Sequence, residues 1–85
     1  MVSRIIVEMS DVRLEILVEP FKENDPGPHV TAVVEAAQAS GLEVDMGPFA
    51  TTVSGALDAV ITASSAMMRA GFEAGATAIQ LRVES

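Results

Sequence analysis

Twice along this chain, a run of alternating apolar and charged residues gives way to an apolar stripe at helical spacing and then resumes its alternation. That double pattern admits few folds. Val12, Leu14, Ile16 and Val18 alternate with Arg13, Glu15, Leu17 and Glu19, the period of two that turns one face of a strand toward a core. Pro20 ends the run, and Lys22 to Pro28 is turn chemistry. Pro28 suits a first helical position, because its missing N–H would have had no partner within the helix. Val30, Val33, Val34 and Ala37 then recur at i, i+3, i+4 and i+7, so the spacing predicts a helix over about His29 to Ser40, with Gly41 as its left-handed terminal residue.

The second half repeats the theme. Leu42, Val44 and Met46 alternate with Glu43 and Asp45, Gly47-Pro48 breaks the run, and Phe49 to Val53 resumes with an extended, β-branched composition. Ser54 offers a hydroxyl to cap the next helix, and Asp58 falls in its first turn, where the helix dipole favours a negative charge. Leu57, Val60, Ile61, Met68 and Phe72 form the expected buried stripe, with Met67 and Met68 as adaptable core fillers, and Gly75 closes the helix. Ile79, Leu81 and Val83 alternate with Gln80, Arg82 and Glu84 in a last strand. The order is therefore βαββαβ.

Two strand-helix-strand units with right-handed crossovers place both helices on one face of a four-stranded antiparallel sheet, an α+β, ferredoxin-like sandwich. The opposite face is then open. By alternation it carries Arg13, Glu15, Leu17, Glu19, Glu43, Asp45, Thr52, Gln80 and Arg82, while Thr51 points elsewhere unless a bulge near Pro48 resets the phase. Leu17 among mixed charges invites a partner, and a second copy of the chain is the simplest one because a two-fold axis lets one patch serve both sides. Residues 1–10 fit this plan poorly: Ile5, Ile6 and Val7 extend or flank the first strand, or the segment is an extension to a domain that begins near Asp11.

Composition narrows the function. Eighty-five residues make one domain, spanning 1–85, and a chain of this size buries only about 60% of its unfolded surface, so assembly into a dimer or tetramer is expected. The absence of cysteine removes disulfides and thiol chemistry and suits a cytoplasmic location, and the single histidine rules out a multi-histidine metal site within one chain. Twelve acidic residues against five basic ones leave a net charge of -7, which speaks against nucleic acid and anionic membrane and is compatible with a cationic partner. No apolar run approaches the roughly 18 residues of a membrane span, and the first ten residues lack a signal-peptide pattern. No Ser-His-Asp set, metal-ligand spacing or glycine-rich phosphate loop is present, so the expectation is a protein that is not an enzyme and holds no cofactor or metal.

The segment from Met46 to Gly55 sets a paired-threonine strand between a tight turn and a helix, where hydroxyls at a sheet are placed to meet a small ligand. Together with Val18-Glu19-Pro20 and Leu42-Glu43-Val44, its Gly47-Pro48 turn and Thr51-Thr52-Val53-Ser54-Gly55 run resemble the small thiamine-binding protein family of ferredoxin-like fold, over Leu14 to Val83. Ser54 stands where family members often carry an acid. The resemblance implies non-covalent binding of thiamine, or of its hydroxymethyl-pyrimidine part, by a homo-oligomer. Such a ligand joins an aminopyrimidine edge of donors and acceptors to a cationic thiazolium, and its site combines hydroxyls or carboxylates with an apolar wall. Thr51, Thr52, Glu15, Glu43 and Asp45 are candidates for the first, and Leu17, Met46 and Phe49 for the second. A carboxylate about 4 Å from the cation contributes on the order of 1 kcal/mol in water and about 4 at an effective dielectric of 20, so a partly closed pocket is needed. Each candidate also has a plainer role: threonines suit a pleated strand, the acids suit a solvated sheet face and Phe49 suits a core. A structural or regulatory interaction module with no small ligand is the alternative from a different class.

Overall fold

The computed structural model describes residues 11–20, 27–47 and 50–85. The expectations for residues 1–10, for the turn at 22–26 and for Phe49 lie outside these. The elements are β1 (Asp11–Glu19), α1 (Gly27–Ala39), β2 (Glu43–Met46), β3 (Thr51–Ala56), α2 (Leu57–Glu73) and β4 (Ala78–Glu84). The strands form one sheet in the order β2-β3-β1-β4, with every neighbouring pair antiparallel. This is the expected βαββαβ ferredoxin-like arrangement.

β1 lies inside the sheet and carries its alternation faithfully. Leu14, Ile16 and Val18 are buried on the helix side, while Arg13, Glu15, Leu17 and Glu19 face the other way. Val53 of β3, Val30, Val33 and Ala37 of α1, and Val60, Ala63 and Met67 of α2 complete the core. Burying a side chain of the Val or Leu class stabilises by about 1.5–3 kcal/mol, so a core this small leaves little to spare.

Both helices end as glycine dictates. Gly41 at φ 79 donates its N–H to the Gln38 carbonyl at 3.1 Å. Gly75 at φ 108 donates to the Phe72 carbonyl at 3.2 Å while the Ala76 N–H reaches back to the Gly71 carbonyl at 2.9 Å, the paired bonds of a Schellman motif. At the other end of α1, Gly27 at φ 81 makes the entry turn and Pro28 takes the first regular helical position.

The start and phase of α2 differ from expectation. β3 runs on to Ala56, so Ser54 is a strand residue on the open face and Ala56 occupies the N-cap without a side-chain bond. The buried stripe is Val60, Ala63, Met67 and Gly71, with Met68 half-buried and Leu57, Ile61 and Phe72 exposed. Small residues set this phase. A Cβ on Gly71 would lie 2.9 Å from Val33 Cγ2 and 3.0 Å from Ile79 Cδ1, so the absent side chain lets α2 close onto α1 and β4 together. Counting large apolar residues overlooks a contact made by a missing one.

Gly71→Val is therefore expected to destabilise the fold by about 1–3 kcal/mol, since overpacking outweighs any gain in helix propensity. The urea midpoint of the variant against wild type measures it.

Candidate ligand-binding site

Thr51 and Thr52 are neighbours in the chain and strangers in space. β3 sends Thr51 to the helix side, where it pairs across the strands with Ile16 and Met46 and is only 5% exposed. Thr52 points to the open face, flanked in register by Glu15 on β1 and Asp45 on β2.

On the helix side the core is not closed at the Thr51 end. Ile16, Val18, Val30, Met46, Gly47, Ala50 and Thr51 line a narrow apolar cleft of about 20 Å³, room for about one water molecule. Its geometry follows from local rules. The Gly47 N–H donates to the Ala50 carbonyl at 2.9 Å, drawing β2 and β3 together at the Met46 end. A Cβ on Gly47 would stand 3.1 Å from that carbonyl, a tight approach that a side chain would open by a few tenths of an ångström. His29 Nε2 donates to the Pro20 carbonyl, tying the first turn of α1 to the end of β1 and seating Val30 as the cleft's helical wall. Thr51 is the buried polar side chain of the described residues, in surroundings otherwise apolar.

The open face is a charge lattice. Two cross-strand rows read Glu43, Ser54, Arg13, Glu84 and Asp45, Thr52, Glu15, Arg82. Arg13 contacts Glu15 at 3.6 Å and Glu84 at 3.4 Å, Arg82 contacts Glu84 at 3.6 Å, and Gln80 donates to the Glu19 carboxylate at 3.0 Å. A shallow hollow of about 260 Å³ lies here, bordered by Glu15, Leu17, Ala50, Gln80, Leu81 and Arg82.

The candidate residues thus divide between two faces. Thr51 and Met46 are in the cleft; Thr52, Glu15, Leu17, Glu43 and Asp45 are on the open face, with Glu43 and Asp45 on the edge strand β2. Phe49 lies outside the described residues. The cleft also uses Ile16, Val18 and Val30, which alternation and helical spacing mark only as core, and Gly47 and Ala50, whose sole signal is the turn itself. Among the described residues no group of three His, Cys, Asp or Glu side chains is placed to hold a metal ion, and no helix is long and apolar enough to cross a membrane.

The ion pairs of the open face are well exposed, and such pairs contribute about 0–1 kcal/mol. Glu15→Gln is accordingly expected to shift stability by no more than about 0.5 kcal/mol in a thermal or urea melt. Any effect of this substitution on a ligand then reports on binding rather than on folding.

The sequence profile of the family described as Thiamine-binding protein matches residues 14–84. Among solved structures, a domain of unknown function from Bacillus cereus is 25% identical, with a TM-score of 0.68, 88% of this chain covered and 73% of that one. A Thermotoga maritima protein assigned provisionally to thiamine biosynthesis or salvage is 22% identical, with a TM-score of 0.72 over 89% of this chain and 84% of that one. A Streptococcus pneumoniae protein at 16% identity and TM-score 0.69, covering 88% of this chain and 83% of its own, shares the same fold. Among proteins of curated function no match is found.

Proposed function

Since the chain belongs to the thiamine-binding protein family, we propose that it binds thiamine or its hydroxymethyl-pyrimidine part in the cleft between α1 and the sheet, acting in the cytoplasm by binding alone, with no chemical conversion of the ligand. The observation that carries this reading is Thr51. Its side chain is only 5% exposed in a lining where valine would fill the same volume, and no fully buried polar side-chain atom among the described residues is left without a hydrogen-bond partner, so the hydroxyl is kept without being stranded. A threonine at the end of an apolar cleft suits a flat heterocycle that is apolar on its faces and polar along one edge, and because the cleft as it stands has room for little more than a water, the ring enters as the exposed, flexible Met46 side chain moves aside.

Electrostatics gives the ligand an orientation. The first N–H groups of α1 carry the positive end of the helix dipole, which suits the acceptor nitrogens of a pyrimidine and disfavours a cation. The pyrimidine therefore enters beside Val30 and Thr51, and the thiazolium stays outward near Met46 and Gly47, where the acidic balance of the chain attracts it. Ser54 lies on the open face, two residues beyond Thr52, so its difference from the acid often found there does not touch the cleft.

One observation favours a second placement. Thr52 stands between Glu15 and Asp45 in register, so the open face offers a hydroxyl flanked by carboxylates to a cationic ring. Two single variants decide between them. Thr51→Val is expected to weaken thiamine binding about tenfold, the loss of one net hydrogen bond of about 1.4 kcal/mol, while Thr52→Val leaves the affinity within about twofold. Calorimetric titration with thiamine and, in parallel, with hydroxymethyl-pyrimidine reads both, and wild-type affinity is expected at micromolar or tighter, about -8 kcal/mol. The opposite ranking moves the site to the open face. Absence of heat with either compound overturns the reading and favours a protein-interaction module.

A further inference from the structure

Met46 stands at the mouth of the cleft. It ends the edge strand β2, pairs in register with Thr51 on β3, and lines the recess while remaining 53% exposed. A thioether open to solvent is thus paired with a hydroxyl that is only 5% exposed. Side chains paired across strands in this way start about 4.5–5.5 Å apart at Cβ. The methionine sulfur lies further out on an unbranched, freely rotating chain, so it reaches the Thr51 hydroxyl without any movement of the backbone.

Oxidation singles out this residue. The chain has no cysteine and no tryptophan, which leaves its five methionines as the side chains most open to a hydroperoxide. Met67 is fully buried in the core and Met68 is half-buried, so Met46 is the exposed methionine of the described residues; Met1 and Met9 lie outside them. The step is a two-electron oxygen transfer. A lone pair of Sδ attacks the terminal oxygen of the hydroperoxide, the O–O bond breaks and an S–O bond forms. The hydroxyl proton passes to the departing alkoxide, so the sulfur is oxidised to a sulfoxide and the peroxide is reduced to an alcohol, or to water when it is hydrogen peroxide. A dithiol reverses the change, leaving thioether, water and a disulfide, when the reductase for each sulfoxide epimer is supplied.

The product changes the character of the cleft mouth. An adaptable apolar side chain that swings aside for a ring becomes a polar one whose oxygen accepts hydrogen bonds. Among the described lining residues Thr51 offers the one side-chain donor, since Ile16, Val18, Val30 and Ala50 are apolar and the Gly47 N–H is already given to the Ala50 carbonyl. We propose that Met46 is a site of reversible oxidation that shuts the cleft: the sulfoxide oxygen accepts a hydrogen bond from the Thr51 hydroxyl and holds the side chain across the entrance. An entering ligand then has to displace a hydrogen bond instead of a loose thioether, and it loses the group that would have met its polar edge. The effect on ligand rests on reading the cleft as the binding site; the oxidation and the contact between Met46 and Thr51 do not.

The test has one arm without ligand and one with it. Hydrogen peroxide treatment followed by peptide mapping is expected to place oxygen on Met46 well ahead of Met67 and Met68. With methionine labelled at its ¹³C methyl, the oxidised Met46 signal is expected away from the position of free methionine sulfoxide in wild type and in Thr51→Ser, and at that position in Thr51→Val. In calorimetric titration, oxidised wild type is expected to bind thiamine about tenfold more weakly than untreated protein and to recover after treatment with both reductases and dithiothreitol. Met46→Leu keeps the other four methionines and is expected to show the same affinity before and after peroxide. The proposal is overturned if Met46 is oxidised no faster than Met67 and Met68, if its oxidised methyl signal sits at the free position in wild type, or if peroxide leaves wild-type affinity unchanged or weakens Met46→Leu equally. An untreated wild type that binds no thiamine overturns the proposed function, and the peptide map and methyl signal still decide the contact between oxidised Met46 and Thr51.

Discussion

The pairing of β1 on both of its sides is the constraint from which the rest of the domain follows. Being interior, β1 must satisfy its backbone toward β3 and β4 at once, and its side chains have only two directions to go. Leu14, Ile16 and Val18 take the helix side and Arg13, Glu15, Leu17 and Glu19 the other. Once that is set, a shift of β3 by one residue would exchange its faces, exposing Val53 and burying Thr52 with its neighbouring carboxylates. The register that buries Val53 is the same one that puts the Thr51 hydroxyl into the cleft. Core and candidate site are two results of one alignment.

Most of this fold could be read in the sequence because its signals are local. The period of two in Val12 to Val18 and in Ile79 to Val83, the helical spacing of Val30, Val33 and Ala37, and the glycines at 41 and 75 each state their conformation within a few residues. The phase of α2 was not legible in this way. Leu57, Ile61 and Phe72 look like core by size, yet the helix buries Ala63 and Gly71 instead, since what decides its rotation is how near another element can come. That is a three-dimensional quantity. The site was legible by half for a similar reason: alternation separates Thr51 from Thr52 correctly, but whether a core layer closes over a given row depends on α1, whose reach the strand pattern does not contain.

Family and geometry contribute different things. The profile match over residues 14–84 establishes kinship, and the solved structures at 16–25% identity establish the architecture. Neither tells which side of the sheet is used. The chain's own physics distinguishes the two sides: an apolar recess with one hydroxyl on one, a lattice of solvated charges on the other. The exposed acids form pairs that contribute little to stability.

Ala50 lines both the recess beneath α1 and the hollow on the open face. Ala50 stands one residue before β3 begins, so at that point a single residue of chain separates the two. Neither can be reshaped there in isolation: any bulk added at Ala50 narrows one chamber or the other, and any backbone shift that enlarges one encroaches on its neighbour. The two faces of this protein, so different in chemistry, are mechanically the same membrane seen from opposite sides.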